Sequence, residues 1–230
     1  MNDLTLATVN YNTPLYVYTL LSSIKKSNPW YTGKLHVYDN GTTHTVIDGT
    51  HDLYIGHHIN SDFYSEFDGI PEPSNPGCRQ FASAKHCKLL NKMFEECQTR
   101  YLLLLNSDVI VTETFEPLLD KLKETHAAAC GYIRHPAGYK PRLAPWFSFI
   151  DTYQCKDAGI AYYDTTRILF INGNMEYDTG ASFLEDCRAK HLIINELPSD
   201  NMGYYHFKGG SYSNQDSVLL WLHKHELYWR

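Results

Sequence analysis

The sequence predicts an α/β protein: a single domain, residues 1–230, built on a Rossmann-like, mostly parallel central sheet flanked by helices. Three observations predict it. Strand-like and helix-like periods alternate through the first half of the chain. The run Tyr101 to Leu105 is continuously apolar, the mark of a parallel strand covered on both faces. The length of 230 residues, with 43% hydrophobic and 20% charged side chains, suits one compact core.

Leu4 to Val9 reads as a short buried strand. Thr13-Pro14 then opens a helix in which Leu20, Leu21 and Ile24 recur at helical spacing, and Pro29 closes it. A second strand, Leu35 to Tyr38, ends in the turn signal Asp39-Asn40-Gly41, and Leu53 to Ile59 reads as a third. Asn75-Pro76-Gly77 breaks the chain before a helix from about Arg79 to Cys97. That helix places His86, Leu90, Met93 and Cys97 on one face, directed at the sheet.

The apolar strand Tyr101 to Leu105 stops at Asn106-Ser107-Asp108. Beyond Gly131 the pattern loosens into RHPAGYKPRLAPW, which predicts an irregular, mobile loop. A strand near Ile168 to Ile171, a helix from Thr179 to Lys190 and a strand from His191 to Leu197 complete the domain. Ligands of parallel sheets bind at the carboxyl ends of the strands. The polar strand ends, Asn10 to Asn12, Asp39-Asn40 and Asn106 to Asp108, are expected to converge there.

Composition narrows the function classes. Lys+Arg 20 against Asp+Glu 26 gives a net charge of −6, so no global positive field draws in nucleic acid or an anionic membrane. The longest apolar run is far too short to span a bilayer, and the opening MNDLTLATVN lacks the layout of a signal peptide, so a soluble cytoplasmic protein is expected. Six cysteines are scattered with no C-x-x-C pair, which favours reduced, buried thiols over a zinc site or disulfide scaffold. The sequon Asn40-Gly41-Thr42 falls in the expected binding crevice and carries little weight. The 18 tyrosines suit sugar or nucleotide rings, each offering a flat apolar face with a hydroxyl.

Neither a G-x-x-x-x-G-K-[ST] loop nor a G-x-G-x-x-G turn is present, so a bound phosphate must be held otherwise. Asp108, at the end of a buried strand, suits a hard divalent cation that bridges carboxylate to diphosphate oxygens, or else caps the next turn. Asp178 precedes a helix and reads equally as a carboxylate for proton transfer or as an N-cap. His223 and His225, at i and i+2, would point apart on a helix and do not suggest a joint metal site.

Five stretches in chain order, ATVNYNTP, HVYDNGT, YLLLLNSDVIV, EYDTG and YYHFKGG, resemble motifs of the GT-A-fold glycosyltransferases, especially the inverting family-2 type. They match the family's opening strand, strand-two nucleotide motif, D-x-D strand, catalytic segment and C-terminal metal histidine. The resemblance implies a nucleotide-binding half, 1–108, and an acceptor and catalytic half, 109–230. It implies that Thr8, Asn10 and Tyr11 line a nucleobase pocket, that Asp39 binds base or ribose, and that Asp108 and His206 ligate Mn or Mg.

Asn106 departs from the usual aspartate, an asparagine that related rhamnosyl-type enzymes share. It would hold, beside Ser107, a ribose hydroxyl or a metal-bound water. The resemblance further implies Asp178 as the general base, with Glu176 the runner-up. Arg79 and His86 are candidates for the donor diphosphate, although a solvated first-turn side chain is the commoner role for such an Arg79, and a core His86 fits at least as well. Acceptor contacts are expected from Tyr139, Arg142, Trp146 and Phe147, and from Tyr162-Tyr163; aromatic rings there could equally pack beneath the sheet.

The implied activity is metal-dependent inverting transfer from a nucleoside diphosphate sugar, UDP-linked, to a glycan or other hydroxyl acceptor. The small size is similar to that of the soluble glycosyltransferase domains of large algal viruses, which implies host cytoplasm and leaves room for a longer polypeptide. A catalytically silent nucleotide-sugar or glycan-binding module is the alternative, with neutral Asn106 its best argument. A sugar-1-phosphate nucleotidyltransferase ranks below both, because NYNTPLY stands where such enzymes need a Gly-rich basic loop.

Overall fold

A computed structural model describes residues 3–40, 51–67, 80–162, 164, 167–168, 177–198 and 203–207. In chain order the elements are β1 (Leu4–Asn10), α1 (Pro14–Ser27), β2 (Leu35–Asp39), β3 (Tyr54–His58), α2 (Gln80–Glu96), β4 (Tyr101–Asn106) and β5 (Val109–Val111). There follow α3 (Glu116–Glu124), β6 (Ala129–Arg134), β7 (Arg142–Asp151), α4 (Thr152–Asp157), α5 (Ala181–Ala189), β8 (Ile194–Glu196) and β9 (Tyr204–His206). Short 3-10 turns span His51–Leu53 and Ser61–Phe67.

Seven strands form the main sheet in the order β3-β2-β1-β4-β7-β6-β8, and β5 pairs with β9 in a separate two-stranded sheet. All neighbours in the main sheet are parallel except β7, which runs antiparallel to both β4 and β6. The mostly parallel sheet read from the sequence is therefore present. Its centre is enclosed on both sides: Leu102 and Leu104 of β4 face α2, α4 and α5, while Tyr101, Leu103 and Leu105 face α1 and α3. Each such leucine withdrawn from water contributes about 2 kcal/mol, which is why β4 reads as an unbroken apolar run.

Helix α1 begins as its sequence signal says, with a proline in the first turn, and ends on Lys25 and Lys26, whose charges oppose its C-terminal dipole. Its Leu20, Leu21 and Ile24 are buried, as their spacing predicts. Leu90, Met93 and Cys97 of the α2 region are buried too. The described cysteines, Cys87, Cys97, Cys130, Cys155 and Cys187, are buried free thiols, and Cys78 lies outside the described residues. Among the described residues no helix is long and apolar enough to cross a membrane.

The structure corrects the reading of the Pro-rich stretch. Residues 134–146 are not one irregular loop: β6 runs to Arg134, and β7 starts at Arg142 and is buried along its whole length. Pro145 is tolerated because the β6–β7 register shifts between Gly131 and Ile133, and the β4 ladder stops at Phe147. Neither neighbour needs the N–H that proline lacks. Arg167 and Ile168 are helical, so the strand expected from Ile168 does not start there; 169–171 lie outside the described residues.

On the α2 side of β2 and β3 lies a hydrogen-bonded cluster of titratable groups. His36 Nδ1 and His57 Nε2 are 3.0 Å apart in nearly parallel rings, and Tyr38 stacks on His57 at 4.2 Å. From α2, Glu96 accepts a hydrogen bond from the Tyr38 hydroxyl at 2.9 Å and pairs with Lys92. Burial lowers the pKa of both imidazoles, the neighbouring ring adding to the effect on His36 and Glu96 opposing it on each. A histidine held below its unfolded value of about 6.5 protonates more readily when unfolded, so its contribution is intact above that pH and lost as the pH falls.

Urea unfolding should therefore give a stability that is level above pH 7 and declines from about pH 6.5 downward. His57→Gln should reduce that slope; an identical slope would show that the pair does not drive it.

Candidate active site at the carboxyl edge of the sheet

Strands β1, β2 and β4 run parallel, so Asn10, Asp39 and Asn106 arrive at one edge. Asn10 joins them. Its Nδ2 donates to Asp39 Oδ1 at 3.1 Å, and its Oδ1 accepts from Thr13 N at 3.0 Å and Thr13 Oγ1 at 3.1 Å. Thr13 Oγ1 in turn lies 3.3 Å from Ser107 Oγ. The tight turn that permits this includes Asn12 at φ 55°, a left-handed conformation that asparagine tolerates. Tyr11 is 52% exposed beside the edge, whereas Thr8, expected to line the pocket, is fully enclosed one step deeper in β1.

Asp108 follows directly on this edge and is 2% exposed. Strand β9 brings His206 to it: Val109 pairs with His206, Phe207 N donates to the Asp108 carbonyl at 3.0 Å, and His206 Nε2 lies 3.3 Å from Asp108 Oδ1. Adjacent ligands on an octahedral ion with bonds of about 2.1 Å lie about 3.0 Å apart, so this oxygen and nitrogen fit neighbouring positions on one divalent cation. Among the described residues no third His, Cys, Asp or Glu joins them. Such a donor set suits an ion that takes its remaining ligands from phosphate oxygens and water.

His86 of α2 is half-buried. Its pKa is pushed down to about 4 by burial, against the pull of the Asp108 charge, so the ring is neutral near pH 7. Such a ring can hydrogen-bond a ligand but brings it no positive charge.

Asp178 sits at the same end of α2. Its Oδ1 accepts from Ser83 Oγ at 3.0 Å and from Thr179 N at 2.7 Å, and its Oδ2 pairs with Arg142 of β7. Both side chains are largely enclosed, 15% and 10% exposed. The helix N-cap is Gly180, not Asp178. Gly180 is at φ 93°, and a Cβ there would meet Leu143 O at 2.0 Å; Leu143 N also donates to Gly180 O at 3.2 Å. This close approach fixes the Asp178 turn against the start of β7 and requires glycine.

The expected acceptor residues divide. Tyr139 is 41% exposed, Arg142 is turned onto Asp178, and Trp146 is buried against His206, with ring centroids 4.9 Å apart. Phe147 stacks on Tyr204, and Tyr162 packs in the core near Phe94 and Phe183. Of the described members of the proposed aromatic cluster, Tyr139 alone presents a large surface. Arg79, Glu176, Tyr163, His223 and His225 lie outside the described residues. Sequence reasoning did not single out Ser83 or give Thr13 a place at the site. The Asn10-to-Thr13 spacing ahead of Pro14 was a usable signal for Thr13; nothing local marks Ser83.

No family model and no curated protein matches this chain. Solved structures do share its fold. A galactosyltransferase LgtC, in complex with donor and acceptor sugar analogs, is 16% identical with a TM-score of 0.54, over 79% of this chain and 69% of its own. Core-mannan synthase A from Aspergillus fumigatus, in its Mn/GDP form, is 7% identical with a TM-score of 0.56, over 90% and 75%. Mouse xyloside xylosyltransferase 1 is 10% identical with a TM-score of 0.55, over 85% of each chain. At these identities the likeness is one of fold, the GT-A-like arrangement of a mostly parallel sheet flanked by helices.

Asp178→Ala should cost about 3 kcal/mol of stability, measured by urea unfolding, because it leaves the enclosed Arg142 guanidinium without its carboxylate. Replacing both residues by apolar ones should recover part of that loss. Additive losses would show that the two side chains are not coupled.

Proposed function

We propose that this chain is a glycosyltransferase that moves a sugar from a nucleoside diphosphate donor, a UDP-sugar, to a hydroxyl of a glycan or similar acceptor. The observation that carries the reading is the delivery of His206 to Asp108 at the edge where Asn10, Asp39 and Asn106 converge. The fold shared with a galactosyltransferase, a core-mannan synthase and a xyloside xylosyltransferase supports it.

On this reading Asp39 and Asn10 hold the base or ribose, with the exposed Tyr11 ring alongside. Asn106 and Ser107 donate hydrogen bonds to ribose or phosphate oxygens. Asp108 and His206 hold Mn or Mg, which when bound neutralises charge on the departing diphosphate. Neutral His86 contributes a hydrogen bond from the α2 side.

Inverting transfer needs a carboxylate to take the acceptor proton. Asp178 is the proposed base, Glu176 the runner-up. As it stands the Asp178 carboxylate is engaged by Arg142, Ser83 and the Thr179 amide. The exposed Tyr139 is the proposed contact for an acceptor ring.

A catalytically silent nucleotide-sugar or glycan-binding module is the second reading. The neutral Asn106 and the engaged Asp178 favour it. UDP binding measured by calorimetry with Mn, and no turnover on any donor, would establish that reading in place of catalysis.

A donor screen with and without Mn, monitoring nucleoside diphosphate release, should find turnover that falls at least about a hundredfold in Asp108→Asn. Asp178→Asn should abolish transfer with donor binding preserved, and the product should carry the inverted anomeric configuration by NMR. Unimpaired transfer by Asp178→Asn would remove it as the base, and a retained configuration would rule out single displacement.

A further inference from the structure

The ring of Trp146 is 6% exposed and lies on the His206 imidazole, with centroids 4.9 Å apart and planes 15° from parallel. Its Nε1 donates to the Tyr204 hydroxyl at 3.2 Å, and Tyr204 stacks on Phe147 at 4.4 Å and 14°. Two neighbouring residues of β7 thus hold two residues of β9. The Arg134 guanidinium lies 5.9 Å from the Trp146 ring centroid and adds a cation–π contact.

Strand β9 needs this help. It spans three residues and, among the described residues, pairs only with the three of β5, and a two-stranded ribbon that short is not stable alone. The imidazole has two further freedoms, rotation of its plane and the direction of Nε2. Stacking on Trp146 removes the first, and the contact with Asp108 Oδ1 sets the second.

We propose that Trp146 is a positioning residue that clamps His206 at Asp108 before any ion arrives, so that the metal pair is assembled in advance by the β7 stack. The inference rests on the reading of Asp108 and His206 as ligands. It replaces the expectation that Trp146 meets the acceptor. The physical consequence is in binding: an ion that finds its imidazole already oriented does not have to order β9. Partners that orient a metal-binding histidine typically change metal affinity 10- to 100-fold.

The test is Mn binding to the purified chain, followed by calorimetry and by Mn paramagnetic resonance, with and without UDP. Trp146→Leu should weaken Mn binding about tenfold or more, while UDP affinity in the absence of metal stays at the wild-type value. Trp146→Phe keeps a stacking face and should lose less; Tyr204→Phe removes the indole's acceptor alone and should give a smaller loss still. Wild-type Mn affinity in Trp146→Leu overturns the proposal. Should that variant fail to fold, wild-type affinity in both milder variants overturns it. His206→Ala separates this failure from that of the functional reading. If it binds Mn as well as wild type, or if wild type binds no Mn with UDP present, the ligand assignment itself falls.

Discussion

The parallel pairing of β1 with β4, enclosed on both faces, is the constraint from which the rest of the molecule follows. Leu6 beside Leu103 and Ala7 beside Leu104 are almost wholly removed from water, so a one-residue slip would exchange the two cores. The register is fixed, and with it the place where polarity resumes. Asn10 and Asn106 emerge at one edge because the apolar stretches before them end together, and Asp39 joins them because β2 is parallel to β1. Asn10 then uses its whole side chain to bind these ends to the start of α1. That cross-linking favours an edge that is organised without a ligand.

The second half of the chain meets this edge through β7. As the antiparallel strand beside β4, it returns to the edge with its amino end, which is how Arg142 and Trp146 come near groups that lie far away in sequence. From that strand Arg142 reaches Asp178 and Trp146 reaches His206. The two side chains engage the carboxylate of the proposed base and the imidazole of the proposed metal pair. A strand that the sequence presents as a basic, proline-broken loop therefore supports both halves of the candidate chemistry.

What the sequence made legible was what repeats locally. Apolar runs and helical spacing located β1, α1, β2, α2, β4 and α5 to within a few residues, because burial acts residue by residue with the period of the element. Strand β3 was found as well, one residue shorter at each end than expected. The hairpin of β6 and β7 was hidden, since its prolines and charges read as loop until a partner strand accounts for them. Strands β5 and β9 are too short to show a period. The stack of Trp146 on His206 and the pair of Arg142 with Asp178 join residues 60 and 36 positions apart, and no local pattern encodes such contacts. The same limit explains Tyr162, whose aromatic character suited a sugar ring as well as the core cluster it occupies with Phe94 and Phe183.

Charge at the edge bears on how a nucleotide would be received. A diphosphate approaching Asp39 and Asp108 meets two carboxylates. Among the described residues near it, Arg142 is already turned to Asp178, and His86 is neutral near pH 7 because its pKa lies at about 4. A second carboxylate at position 106 would hold a divalent ion more firmly, but it would also repel the diphosphate whenever the ion is away. With asparagine there, the described residues supply the proposed site with one carboxylate and one imidazole, a weak set for a hard cation. On the proposed reading, phosphate oxygens would then complete the coordination. On the proposed reading, metal and nucleotide bind as a pair, each raising the affinity of the other by the same factor, and the clamped imidazole limits what their joint arrival must still set in order.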